Sequence, residues 1–157
     1  MAALLVGIVG AKALRRDINR LTDDIKSPLY KAMAQAGYEA VQPIVARTRS
    51  ATRTGSGPRA SGTRLEGTVR ASRTRTGGAV RMGRANVPYA GWVEFGGVRH
   101  SPHESTREYR PGGRYLFPAA RDLAPRAAAD YSVALTRLFA TPGIWTNSTD
   151  NGSAVHD

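Results

Sequence analysis

Apolar positions along this chain recur with two periods, and the switches between them mark the expected elements. Ala3 to Val9 is a short apolar run with Val and Ile, in which Gly7 and the following Gly10 are poor helix residues, which favours a strand. From Lys12 to Ile25, Leu14, Ile18, Leu21 and Ile25 are spaced four, three, four, which is one helical stripe. Ser27-Pro28 reads as an N-cap with proline at the first helical position. A second helix is expected from Pro28 to about Thr48, with Leu29, Met33, Val41 and Ile44 on its apolar face. Gly37, among alanines, would admit close approach by another element, and Pro43 would bend the last turns.

The period then shortens. Residues 49–62 form an Arg-rich loop of Thr, Ser, Gly and Pro with almost nothing apolar. Leu65, Gly67, Val69 and Ala71 alternate with polar residues, which predicts a half-buried strand. A glycine turn leads to a returning strand, Ala79 to Arg84, with Val80 and Met82 inward and Arg81 outward. Val87 to Phe95 is expected as a third strand of the meander, with Tyr89, Val93 and Phe95 on one face and Trp92 and Glu94 on the other. A long polar loop, 96–114, follows, then a short apolar piece at Tyr115–Phe117. Pro118 is placed to open a last helix, with Leu123, Ala127, Tyr131, Leu135 and Leu138 on one stripe and a kink at Pro125. Together these predict an α+β domain over residues 1–140: an antiparallel meander packed by an N-terminal helical pair and a long C-terminal helix. Residues 141–157 are a polar tail in which Trp145 stands out as a docking residue.

At 157 residues the chain is long enough for one core of its own. It has no cysteine, hence no disulfide framework and no thiolate metal site. No apolar run approaches the ~20 residues that span a bilayer. Residues 2–11 are apolar, but Arg15-Arg16 follow rather than precede them, the reverse of a secretory signal.

Charge changes the picture more. The formal net charge is +11. Between Arg47 and Arg121 there are fifteen arginines and four acids, while the remainder is balanced, so the whole excess lies in the middle of the chain. A surface meeting a polyanion is the functional reading. A GC-rich coding bias accounts for 20 Arg against 3 Lys, but not for the scarcity of acids.

Three short pieces recur in an order that resembles the neck or tail-completion (head-tail joining) proteins of long-tailed bacteriophages. They are Tyr89-Ala90, Val93-Glu94-Phe95-Gly96, and Tyr115-Leu116-Phe117-Pro118-Ala119-Ala120. The resemblance covers roughly Thr48 to Ala140, with Gly97 where a threonine is common and Tyr115-Leu116-Phe117 in place of the usual proline-aromatic pair. It implies a virion protein, assembled in the host bacterial cytoplasm into a homo-oligomeric, hexameric ring. That ring lies at the head-tail junction between the connector and the tail tube, with stopper or terminator rings as neighbours and double-stranded DNA passing through. Tail-terminator and stopper rings share this size and class.

Under that reading Tyr89, Trp92, Glu94, Phe95, Tyr115 and Phe117 are the expected subunit interface. Arg49, Arg53, Arg59, Arg64, Arg70, Arg73, Arg75, Arg81 and Arg84 would face DNA in the lumen or an acidic partner ring, through phosphate contacts that carry no sequence information. His100, His103 and Trp145 would dock on neighbouring rings. Glu94, a carboxylate among arginines, is expected to pair bidentately with one of them, within the chain or across a subunit boundary.

Catalytic patterns are weak. His100, His103 and Glu104 are loosely spaced and interrupted by proline, which favours a solvated loop over a metal site. Glu94 has no second carboxylate for acid-base work, and Gly55-Ser56-Gly57 lacks the lysine of a phosphate-binding loop. No catalytic residue, metal or cofactor is expected. The alternative outside the structural class is a monomeric or dimeric basic nucleic-acid-binding protein, though no helix-turn-helix, zinc finger or aromatic stacking platform is legible.

Overall fold

The computed structural model describes residues 2–5, 16, 19–20, 23–54, 65–99 and 105–141. The class is α+β, with two small antiparallel sheets. The first sheet has the order β1-β3-β2, built from β1 (Ala2–Leu5), β2 (Arg70–Thr74) and β3 (Gly77–Met82). The helices α1 (Asp23–Ala40) and α2 (Gln42–Thr54) share the segment expected as one helix, 28–48, and α2 runs on into the start of the expected 49–62 loop, while the expected first helix, 12–25, lies largely outside the described residues. A short helix α3 (Ala90–Phe95) and a hairpin of β4 (Gly97–Arg99) and β5 (Ser105–Arg107) precede the long helix α4 (Leu116–Ala140).

Helix α1 begins at Asp23, so Ser27-Pro28 lies inside it rather than at its start. The break between α1 and α2 falls at Val41, two residues before Pro43, which has no N–H to offer the carbonyl four residues back. The Gln42 side-chain amide donates to the Tyr38 carbonyl at 3.3 Å beside this break.

Gly37 does admit a close neighbour. It packs directly on Gly77 and Gly78, and a Cβ on Gly37 or Gly78 would overlap the opposing backbone. Helix and strand therefore meet main chain to main chain at the start of β3. Gly77 to Val80 of β3 are all buried, and only at its end does the predicted alternation show, with Val80 and Met82 enclosed and Arg81 exposed.

Two predicted strand segments take other forms. Leu65–Thr68 is a 3₁₀ turn. The Thr68 hydroxyl donates to the Leu65 carbonyl at 2.7 Å and accepts the Gly83 N–H at 3.0 Å, so it holds the turn against the end of β3. The expected third meander strand, Val87–Phe95, is instead a turn followed by α3, and β1 is the third strand of the sheet. Over six residues, two-residue alternation and helical spacing fit the same letters. Helical spacing prevails because it puts Ala90, Val93 and Glu94 on one buried side. Gly96, at φ 82, then ends the helix in a conformation that favours glycine.

The core is in two parts. The larger is built from Val41 at the helix break, Ile44 and Val45 of α2, Val80 and Met82 of β3, Val93 of α3 and Leu116 of α4, among others. The smaller joins Leu29, Tyr30 and Met33 of α1 to Tyr131 and Leu135 of α4. Tyr131 also donates its hydroxyl to the Thr76 carbonyl and so ties α4 to the β2–β3 turn. Pro125 lies within α4, which runs on to Ala140.

Candidate functional site

Glu94 is the residue where the two motifs of the sequence meet. Its side chain is fully buried, with 0% exposure. The carboxylate accepts the backbone N–H of Tyr115 at 3.1 Å, of Leu116 at 3.2 Å and of Phe117 at 3.1 Å. These are the N-cap and first two positions of α4. The next residue, Pro118, has no N–H, and Ala119 N–H already bonds the Tyr115 carbonyl at 3.3 Å. Every donor that a helix start leaves unsatisfied is therefore matched or absent. A carboxylate there also meets the positive end of the α4 dipole.

The expected arginine partner of Glu94 is thus replaced by a helix N-terminus. Gly113 explains how the chain comes so close: at φ 70 it has no Cβ, and one built there would overlap Glu94 Oε1 and touch Phe117. The helix also starts two residues earlier than the proline rule places it, at Leu116 rather than Pro118.

The other end of α3 is equally tied down. Gly96 N–H bonds the Trp92 carbonyl at 2.7 Å, Arg110 N–H bonds the Phe95 carbonyl at 2.6 Å, and Arg107 Nη1 bonds the Val93 carbonyl at 3.2 Å. Arg107 Nη2 reaches the Tyr115 hydroxyl at 3.3 Å, and its guanidinium lies 5.9 Å from the Trp92 ring centre. A six-residue helix thus joins the hairpin β4–β5 to the start of α4.

Of the six residues expected at a subunit interface, the fold divides the set. Tyr89 and Glu94 belong to the chain's own interior, so neither is presented at its surface. Trp92, Phe95, Tyr115 and Phe117 are half-buried and pack on the edge of the larger core. Trp92 Nε1 donates to the Gly97 carbonyl at 2.9 Å, and Phe95 and Phe117 are in tilted ring contact at 5.2 Å. This leaves a partly exposed aromatic patch beside the hairpin, where Val98 and Tyr109 are also exposed.

The arginines do not form one uniform cluster. Strand alternation places Arg73 on the α1 side of the sheet and Arg70 and Arg81, which are register partners, on the other. Arg73 donates to Gln35 Oε1 at 2.6 and 3.0 Å and lies 4.9 Å from the Tyr38 ring centre. Arg75 stacks 4.2 Å above Tyr30. Arg49 makes a two-nitrogen contact with the Val69 carbonyl at 2.8 and 3.0 Å, and Arg70 Nη1 bonds the Gly83 carbonyl at 3.1 Å. Arg53 pairs with Glu66 at 3.0 Å. Arg81 and Arg84 are exposed. Arg59, Arg64, His100, His103 and Trp145 lie outside the described residues.

Sequence reasoning missed the bond between Glu94 and α4. The signal was present as Glu94 and the Tyr115-Leu116-Phe117-Pro118 step, but a sequence separation of 21 hides it. No protein-family model, curated protein or solved structure matches this chain.

Proposed function

We propose that this chain is a structural subunit of a ring at the head-tail junction of a long-tailed bacteriophage, assembled in the bacterial cytoplasm and retained in the virion. Its work in this reading is assembly and passage of DNA, with no catalytic step and no cofactor. The resemblance of its three motifs supplies the family. The single observation that carries the functional reading is how the arginines of β2 and its surroundings are held. Of that set, Arg53 meets a carboxylate, whereas Arg49, Arg70, Arg73 and Arg75 are held by carbonyls, an amide oxygen and aromatic rings. Such contacts fix a guanidinium in place and leave its charge uncancelled. A fixed, uncancelled positive surface attracts duplex phosphate without reading sequence.

The subunit contacts in this reading come from the aromatic patch of Trp92, Phe95, Tyr115 and Phe117, while Arg81, Arg84 and their neighbours face DNA or an acidic ring. Glu94 shapes that patch from within rather than touching a neighbour.

The test is the assembly state of the purified protein, by negative-stain electron microscopy and light scattering, alongside duplex binding across a salt series. Closed rings with weak binding of free duplex are expected. A monomer or dimer that binds duplex tightly at low salt, with a steep salt dependence, overturns the ring and favours the basic nucleic-acid-binding alternative.

A further inference from the structure

We propose that the groove between α1 and the β2–β3 turn seats the phosphates of a duplex DNA backbone, through Lys26, Lys31 and Arg75. The inference rests on the reading that the positive surface meets duplex phosphate, and it holds whether or not copies of the chain close a ring. The groove has a volume of about 440 Å³ and lies open to solvent. Two of the chain's three lysines meet there with an arginine from a different element. Both lysines come from the charge-balanced part of the chain, so the count of surplus arginines passes over them.

Tyr30 is the floor of the groove. Its ring is buried, its hydroxyl donates to Asn19 Oδ1 at 2.9 Å, and the Arg75 guanidinium lies 4.2 Å from the ring centre. Stacking engages the flat face of a guanidinium and leaves its N–H donors pointing sideways, in the plane. On α1, Lys26 and Lys31 stand on either side of Ser27 and Tyr30, because five residues of helix turn through about 140°. Lys26 Nζ holds Asp23 at 2.9 Å, and that carboxylate is almost wholly in water. A pair so exposed yields readily to a competing anion. Among the described residues, no carboxylate pairs with Lys31 or Arg75. Three cations and one acid leave the groove with a formal charge of +2.

Donor geometry selects phosphate over carboxylate. A carboxylate is planar and is best met by one guanidinium fork in its own plane. Here two ammonium point charges and a flat-lying guanidinium converge from two elements, which suits a tetrahedral group with oxygens in several directions. The arrangement also repeats along the helix. Arg73 lies 4.9 Å from the Tyr38 ring centre, and Tyr38 is about 12 Å along α1 from Tyr30. Gln35 stands between Arg73 and the exposed Glu39, accepting from the one and donating to the other. A lone anion needs one such seat, whereas a strand of successive phosphates uses both.

The experiment titrates the full chain with a short fluorescein-labelled duplex, read by anisotropy across a sodium chloride series, with assembly scored separately by light scattering. Lys31→Ala, an exposed change, is expected to lower the slope of log affinity against log salt by about 0.9, the share of one phosphate, and Lys31→Arg to restore it. Arg126→Ala removes the same charge from an exposed position on α4 and is expected to leave the slope unchanged. Polyglutamate binding is expected to respond less to Lys31→Ala than duplex binding does, and inorganic phosphate at matched ionic strength to displace no more duplex than chloride. An unchanged slope in Lys31→Ala, or an equal fall in Arg126→Ala, would overturn the seat. A loss of polyglutamate binding as large as that of duplex would assign the groove to an acidic protein instead, and stronger displacement by inorganic phosphate would assign it to the free anion. A slope that falls in Lys31→Ala while the protein stays monomeric supports the seat and overturns the ring alone. Closed rings that bind no duplex at any salt overturn the seat and leave the ring standing.

Discussion

Two charged regions of this chain are handled in opposite ways. Glu94 is enclosed completely, and its oxygens are consumed by three backbone donors of α4. Arg49, Arg70, Arg73 and Arg75, on α2, β2 and the β2–β3 turn, are steadied by neutral groups. A buried charge must be matched by the fold or it destabilises the fold. A surface charge held by carbonyls and rings keeps its field for something outside the chain. The acid therefore builds the fold, and the bases keep their charge at its surface.

The contrast is broken most directly at Glu94. Glu94→Ala leaves three enclosed N–H groups without an acceptor, and a loss on the order of 3–5 kcal/mol is expected in chemical denaturation. Glu94→Gln keeps one acceptor oxygen but turns an NH₂ toward donors, and about 2–3 kcal/mol is expected. If both variants unfold at the native midpoint, the carboxylate does not hold α4. Gly113→Ala attacks the same pairing from the other side. A left-handed residue gains a Cβ that overlaps Glu94 Oε1, so about 2 kcal/mol is expected by the same measurement.

Tyr131 tests a neutral buried group between these extremes. Burial holds its phenol above the ordinary 10.0. The unfolded chain gives up this proton near pH 10.0 while the folded chain retains it. Its contribution is thus complete below that pH and declines as pH rises through the folded value. Tyr131→Phe is expected to cost about 1 kcal/mol at neutral pH, from the missing bond to the Thr76 carbonyl, and to flatten the alkaline decline. An alkaline decline equally steep in the variant would assign that titration to another group.

The smallest effect on stability is expected at the exposed arginines. Arg81→Ala with Arg84→Ala should shift the unfolding free energy by no more than about 0.5 kcal/mol. The same pair should lower the salt slope of duplex binding by about 0.9 for each phosphate no longer neutralised. A large stability loss there would place those arginines with Glu94, as parts of the fold rather than of its surface.

Much of the framework was legible in the letters. Val80 and Met82 against Arg81 reveal the end of β3 because strand side chains alternate between faces. Ala127, Tyr131 and Leu135 reveal the buried stripe of α4 because a helix repeats every 3.6 residues. Gly37 announced a close approach, though not that its partner is Gly77-Gly78. The short segments were not legible. Leu65–Thr68 and Ala90–Phe95 span too few residues for one period to exclude the other, so their form followed from what they pack against.

The sequence by itself determined the α+β composition, the confinement of surplus charge to the middle of the chain and the shape of the longer elements. These depend on neighbours a few residues away or on simple counting. Only the tertiary structure decided that Glu94 serves a helix start instead of an arginine, that Tyr89 is interior, and that strand alternation splits Arg73 from Arg70 and Arg81. Each of those depends on groups distant in the chain competing for one place. The competition is settled by which arrangement leaves the fewest buried donors and acceptors unmatched.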